Sequence, residues 1–173
     1  MDDVEGLISK RGLQAVPSRL LLATYESILA ELRAREVVRT NDAPAGQYAE
    51  WLAWRVLGGD LAANAVKSYD LVTEQKRKVQ VKARVLRKPN LVGERQLSPF
   101  RSFDFDDALV ILFDRTYQVL RAVLLPKAVV EAKSSYRKHV NGNILIARDT
   151  VLGEGTDVTE RFVEFDRAAN PDG

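Results

Sequence analysis

The sequence predicts an α/β domain in which helices flank a mixed central β-sheet. Polar and apolar residues alternate from Lys78 to Val85 in the run of residues 78–86, which is typical of a half-buried strand. A continuous apolar run over residues 108–113 indicates a strand at the centre of a sheet. Helical spacing of apolar residues precedes these strands, so the order of the patterns favours a mixed sheet covered by helices.

Two helices are predicted before the first strands. Apolar residues at helical spacing place one helix over residues 18–38. Its stripe of Leu21, Tyr25, Ile28 and Leu32 predicts packing into the core, with a homodimer surface as the alternative. A second helix, over residues 46–57, is apolar on nearly all sides and ends at two glycines.

The remaining elements follow from turn and strand signals. Asn141-Gly142 indicates a hairpin turn, and proline at position 126 is typical of a helix start. We predict strands at 60–66, 69–72 and 117–125, a helix at 126–132, hairpin strands at 136–140 and 143–147, and an acidic tail without clear pattern. We expect residues 1–16 to form a flexible arm and residues 17–173 a single domain.

Composition limits the possible classes of protein. The chain has 173 residues and no cysteine, which excludes disulfides, thiolate zinc sites and cysteine nucleophiles. It contains no apolar run long enough to cross a bilayer, and its acidic N-terminus lacks the apolar core of a signal peptide. We therefore expect a cytoplasmic protein that does not associate with membranes.

The charge is distributed unevenly along the chain. Residues 76–101 contain nine lysines and arginines and one acid, a net charge of +8, whereas the whole chain carries +2. Such a segment suits a phosphate backbone, although a solvated charged loop is the alternative. Residues 87–107 form a long connection that we expect to touch substrate. The predicted nucleic-acid contacts are Lys76, Arg84, Lys88, Arg95 and Arg101.

Polar residues capable of chemistry converge on the hairpin formed by residues 69–86. Gln80 and Lys82 share one face of the alternating strand, and Asp70 stands on the preceding strand. Glu50 is the only charged residue between Gln47 and Arg55 on the apolar helix. Because a carboxylate in such a helix needs a cation or a metal, we expect it near Lys82 or a metal shared with Asp70.

These residues resemble the PD-(D/E)xK nuclease superfamily, which has the restriction-endonuclease-like fold. Its members carry a Glu on the first core helix, an Asp on a hairpin strand and an acid-x-Lys on the next strand. Glu50, Asp70 and Gln80-Val81-Lys82 match in type, order and context over about residues 46–86. Gln80 replaces the usual acid, as in a Gln-x-Lys variant of the family.

The resemblance implies a metal-dependent endonuclease that hydrolyses DNA, with a restriction or other defence system as its setting. Its catalytic residues would be Glu50, Asp70, Gln80 and Lys82. Mg²⁺, or Mn²⁺ in its place, would be held by Asp70, the Val81 carbonyl, Glu50 and the Gln80 amide oxygen. The expected partner is double-stranded DNA, and a homodimer would suit cleavage of both strands.

Two other classes remain open from the sequence. A catalytically inactive nucleic-acid-binding or scaffolding module with the same fold is favoured by Gln80, which removes a charge from the metal site. In a generic α/β domain, Asp70 and Lys82 would form an ordinary ion pair. His139, the only histidine, stands apart from the motif beside Arg137 and Lys138, so a surface or phosphate contact is favoured over a general base.

Overall fold

The computed structural model describes residues 10–14, 16, 18–39, 44–63, 65–66, 68–88 and 91–169. The chain forms two compact units, Met1–Pro44 and Ala45–Gly173. The boundary thus falls in the polar break before the second predicted helix, rather than after residue 16. Most of the predicted arm lies outside the described residues, but helix α1, Lys10–Gln14, forms within it.

The first unit contains α1 and the longer helix α2, Ser18–Ala34. Leu29 is 1% exposed, whereas Tyr25 is 42% and Ile28 52% exposed. The prediction that the whole stripe packs into the core is therefore wrong for Tyr25 and Ile28, because the buried side of the helix is rotated toward Leu29. Arg35 Nε lies 2.7 Å from Glu31 Oε1, the i, i+4 ion pair that the sequence indicates.

The second unit is built around a mixed sheet flanked by helices, as predicted. The strands are β1 Asp60–Leu61, β2 Leu71–Val72, β3 Lys78–Val85, β4 Asp107–Phe113, β5 Val119–Pro126, β6 Ser135–Arg137, β7 Gly142–Ile144 and β8 Thr156–Asp157. Within the described residues, six of them pair in the order β1-β2-β3-β4-β5-β8. β3 and β4 are parallel, and the other neighbours in this sheet are antiparallel. The helices are α3 Pro44–Leu57, α4 Lys127–Lys133, α5 Asp149–Leu152 and α6 Thr159–Ala169.

Each face of this sheet has its own apolar core. Val79 and Val81 of β3 belong to a cluster with Leu52 of α3 and Phe162 of α6. The opposite face carries a second cluster, which includes Phe100 from the connection between β3 and β4 and Val130 of α4. Because side chains alternate along a strand, Gln80 and Lys82 stand on the face opposite Val79 and Val81.

The second predicted hairpin forms with a different turn. β6 and β7 pair antiparallel as a separate two-stranded sheet. A 3-10 helix, Lys138–Val140, occupies the expected end of the first strand, and Asn141 has a left-handed φ of 47°. Gly142 is already part of β7, where a Cβ atom would lie 2.8 Å from Pro99 Cβ. Glycine is required there by close packing rather than by a two-residue turn.

The prediction of a poorly patterned C-terminal tail is wrong, because residues 159–169 form helix α6. Phe162 of this helix is fully buried, and Thr159 Oγ1 accepts a hydrogen bond of 3.0 Å from the Ala122 amide of β5. Asp157 Oδ1 accepts a 2.9 Å bond from the Thr159 amide at the helix start. In the described part of the chain, no helix combines the length and apolar character needed to span a bilayer.

We expect Asp157→Ala to lower the free energy of unfolding by about 1 kcal/mol, because the Thr159 amide loses its acceptor. Hydrogen bonds from Thr159 hold the pKa of Asp157 below its ordinary value, so this contribution is present above the unfolded pKa and declines as pH falls through the folded one. Urea unfolding at pH 7 measures the change, with Glu160→Ala as the control. Equal stability of the two variants would contradict the role of Asp157.

Candidate functional site

Asp70 lies where β2 and β3 separate. Leu71 of β2 pairs with Val79, and β3 then continues through Val85 without a strand beside it on that edge in the described chain. The Asp70 amide donates to the Val79 carbonyl at 2.9 Å, and the Val81 amide donates to Asp70 Oδ2 at 2.7 Å. The carboxylate thus takes the place of the next backbone acceptor and is held against β3.

The Val81 carbonyl faces the same edge of β3 as Asp70. In an extended strand, the amide and carbonyl of one residue point to the same side. Since the Val81 amide donates to Asp70, the Val81 carbonyl also points toward the open edge. This edge of the strand therefore presents the Asp70 carboxylate and the Val81 carbonyl oxygen.

Lys82 is partly buried and is held by the connection between β3 and β4. Its Nζ donates to the Pro99 carbonyl at 3.1 Å and lies 5.0 Å from the centre of the Phe100 ring. Burial lowers the pKa of Lys82 below its ordinary value, although the nearby carboxylates of Asp70 and Glu50 act in the opposite direction. Burial therefore outweighs the attraction of two carboxylates for the ammonium group.

Charged residues from three separate parts of the chain influence the pKa of Lys82. Asp70 precedes β2, Glu50 lies on α3, and Arg101 lies beyond Phe100, yet all three act on the pKa of Lys82. Arg101 lowers that pKa because it is a second cation near the first. Asp70 and Glu50 raise that pKa, so both carboxylates lie within electrostatic range of Lys82.

Gln80 is 7% exposed and lies two residues before Lys82 on the same face of β3. Because side chains alternate along the strand, the Gln80 side chain stands on the face of β3 opposite Val79 and Val81. Its amide oxygen is a neutral oxygen of the kind that a divalent cation can accept as a ligand.

The carboxylate, backbone carbonyl and amide oxygens at this site are ligand types that suit a hard divalent cation. Mg²⁺ prefers carboxylate and carbonyl oxygens, and it commonly binds through one or two carboxylates plus substrate phosphates. Asp70 and Glu50 would supply the carboxylates, and Val81 and Gln80 would supply neutral oxygens. Among the residues described, no group of three or more His, Cys, Asp or Glu side chains could hold a metal. A cation here would depend on the neutral oxygens and on substrate.

The structure divides the basic segment into paired and exposed cations. Arg77 Nε lies 2.6 Å from Asp107 Oδ2, and Lys78 Nζ lies 3.1 Å from Asp104 Oδ1. Arg95 Nη1 lies 2.7 Å from Asp149 Oδ1, and the Arg95 side chain is only 18% exposed. Arg95, predicted as a phosphate contact, thus has a carboxylate partner, and its side chain joins the connection to α5.

The other four predicted nucleic-acid contacts are exposed. Lys76 lies at the turn between β2 and β3 with a φ of 61°, and Arg84 Nε donates to the Glu94 carbonyl at 3.1 Å. Lys88 and Arg101 both lie in the connection between β3 and β4. Of these, Arg101 is the one whose charge reaches Lys82. It is therefore the best-placed cation for a phosphate bound at the site.

Sequence reasoning missed the residues that hold Lys82 in place. Pro99 and Phe100 lie in a long connection whose path could not be predicted. This connection is tied to β7 by a backbone bridge between Phe100 and Asn143. An aromatic residue next to proline and arginine in a basic loop was the available signal, but it did not indicate which strand residue the ring would contact.

Two comparisons with known proteins give no match. Neither a scan against protein-family models nor a search of the curated proteins finds a match to this chain. The resemblance to the PD-(D/E)xK superfamily therefore depends on the few motif residues of the sequence alone.

Proposed function

We propose that this protein is a metal-dependent endonuclease that hydrolyses phosphodiester bonds in DNA and has a restriction-endonuclease-like core. The observation that carries the proposal is the arrangement around the open edge of β3. Asp70 is bonded to the Val81 amide there, and Lys82 is buried close enough to Asp70 and Glu50 for both to affect its pKa. An acid pair and a lysine with an altered pKa in one place are typical of catalytic sites.

The exposed cations support nucleic acid as the substrate. Arg101 stands near Lys82, and Lys76, Arg84 and Lys88 are exposed on the same basic segment. Guanidinium and ammonium groups bind backbone phosphates and release condensed counterions. A phosphate drawn to Arg101 would lie beside the carboxylates and the buried lysine.

Asp70, Glu50, the Val81 carbonyl and the Gln80 amide oxygen would hold Mg²⁺, with Mn²⁺ able to substitute. Bound there, the cation would stabilise negative charge on the phosphate and lower the pKa of a coordinated water. Lys82 orients the attacking water and offsets charge that develops on the phosphate. As water adds to phosphorus, one ester P–O bond breaks. The lowered pKa of Lys82 makes proton exchange at Nζ easier.

A non-catalytic nucleic-acid-binding module is the second candidate. Gln80 favours it, because an amide supplies no charge to attract a cation. The small number of acidic side chains at the site favours it as well. Such a module would bind DNA through its exposed cations and leave the strand intact.

A cleavage assay separates these two functions. Supercoiled plasmid is incubated with the protein in Mg²⁺, in Mn²⁺ and in EDTA, and the products are resolved on agarose. We expect nicked or linear DNA with either cation and intact plasmid in EDTA. DNA binding without cleavage under every metal condition would contradict the nuclease and support the binding module.

We expect Gln80→Glu to lower the Mg²⁺ concentration needed for half-maximal cleavage, by about tenfold. The new carboxylate would lie next to Asp70 and attract the cation by Coulomb interaction, and about 1.4 kcal/mol of added binding gives that factor. A Mg²⁺ titration of the initial cleavage rate measures the shift.

The matched control is Gln75→Glu, the same change at an exposed residue in the turn of the hairpin. It should leave the Mg²⁺ requirement unchanged. Calorimetry with Mg²⁺ alone gives a second measurement. If Gln80→Glu is folded and binds no more metal than the control, Gln80 does not adjoin a cation site and the proposed ligand set is wrong.

A further inference from the structure

An open pocket of about 510 Å³ lies beside the sheet formed by β6 and β7. Four basic residues line it, Lys133, Arg137, His139 and Arg148, and no acidic residue is among its described lining. None of the four belongs to the basic segment of residues 76–101, and none belongs to the candidate site. The pocket is therefore a second concentration of positive charge in this unit.

The cations of this pocket are largely uncompensated. Lys133 Nζ lies 2.8 Å from Glu154 Oε1. Within the described part of the chain, the side chains of Arg137 and Arg148 form no ion pair or hydrogen bond. Like charges around one concavity repel each other, so a bound anion would stabilise the arrangement. The planar guanidinium group matches the oxygens of phosphate in particular.

The pocket is linked to the candidate site by one extended segment. Gln96 lines the pocket and forms a backbone bridge with Ile146, while Phe100 forms a bridge with Asn143. Pro99, between them, accepts the hydrogen bond from Lys82. Three residues of backbone span at most about 10 Å. This is the rise of about three nucleotides along one strand of a duplex.

We propose that this pocket binds a backbone phosphate of the same nucleic acid strand that reaches Lys82. Arg137 and Arg148 contact the phosphate oxygens, and the aliphatic side chains of Ile144, Ile146 and Val151 form the apolar part of the wall. This inference rests on the proposed function for its ligand, since it places the pocket a few nucleotides from the cleaved bond. The pocket holds the strand in position and takes no part in the chemistry.

The test measures binding in EDTA, so that cleavage does not enter. Fluorescence anisotropy with a labelled 20-base-pair duplex compares wild type with the double variant Arg137→Gln/Arg148→Gln. We expect the dissociation constant to rise about tenfold and the slope of log K against log salt to fall by about 2, one unit for each lost phosphate contact. A control variant, Arg35→Gln/Arg167→Gln, has the same change in net charge and should leave the slope unchanged.

Each outcome bears on the inference. An unchanged slope in a folded Arg137→Gln/Arg148→Gln variant, while wild type binds the duplex, would overturn it. Calorimetry with pyrophosphate distinguishes the other source of phosphate: if the variant loses pyrophosphate binding but retains duplex binding, the pocket serves a free phosphate ester and the strand assignment is wrong. If the pocket variant weakens binding while wild type cuts no DNA with any metal, the nuclease proposal fails and the pocket assignment stands.

Discussion

Asp70→Asn is expected to reduce the rate of DNA cleavage at least about 10³-fold, which corresponds to about 4 kcal/mol of lost transition-state stabilisation. The asparagine oxygen can still accept the hydrogen bond from the Val81 amide, so the separation of β2 and β3 should be preserved. What is lost is the negative charge that attracts the cation. Single-turnover cleavage of a duplex in saturating Mg²⁺ measures the rate.

The variant should still bind DNA in EDTA as wild type does, because the exposed cations are unchanged. Asp60→Asn, an exposed carboxylate on β1, provides the matched control and should cut DNA at the wild-type rate. A folded Asp70→Asn protein with cleavage within tenfold of wild type would show that Asp70 does not hold a catalytic cation. The candidate site would then have to be placed elsewhere.

Lys82→Met is expected to remove cleavage and to make the protein more stable at the same time. Burial disfavours the charged form of Lys82 despite Asp70 and Glu50, so a methionine of similar length removes an unfavourable group from the fold. We expect a gain of about 1 kcal/mol, or about 2 to 4 °C in Tm. Cleavage should fall by about 10²-fold or more, since no group then orients water or offsets charge on the phosphate.

The pH dependence of stability tests the burial of Lys82 separately from activity. Its folded pKa is lowered from the ordinary value of 10.5, so between the two values the unfolded chain binds more protons than the folded one. The free energy of unfolding of wild type should therefore rise with pH through that alkaline window, relative to Lys82→Met. Urea unfolding of both proteins from pH 7 to pH 10.5 measures this difference.

Lys127→Met is the matched control, because Lys127 is exposed at the start of α4 and takes no part in the candidate site. It should change neither the cleavage rate nor the slope of stability with pH. If Lys82→Met lowers the stability at neutral pH, the ammonium group is instead a net stabilising partner of Asp70 and Glu50. Retained cleavage in that variant would remove Lys82 from the proposed mechanism.

Local patterns in the sequence were sufficient for the elements that position the site. The alternating run at residues 78–86 predicted β3, observed as Lys78–Val85, and the apolar run at 108–113 predicted β4. The helix predicted to end at the two glycines does end at Leu57, where Gly58 adopts a φ of 72°. These features depend on side-chain periodicity and on backbone conformation near one residue, so neighbouring residues alone determine them.

Features that depend on contacts between distant residues could not be predicted. Helix α6 is amphipathic, but its position against the sheet is secured by contacts with distant residues, through Phe162 in the core and Thr159 on β5. Arg95 looked like a free cation in the sequence, but Asp149, which pairs with it, is 54 residues away. The effect of a charge depends on its partner in space, which sequence separation does not reveal.

The candidate site also combines features set by the local sequence with features set by contacts between distant residues. The sequence alone determined which residues share a face of β3 and that an acid precedes them, because alternation is a property of the strand. Only the tertiary structure decided that the Asp70 carboxylate bonds the Val81 amide and that Pro99 and Phe100 bury the Lys82 ammonium group. It also gathered Arg137 and Arg148 around one pocket. Burial and electrostatic environment arise from packing between separate segments, and no local pattern encodes them.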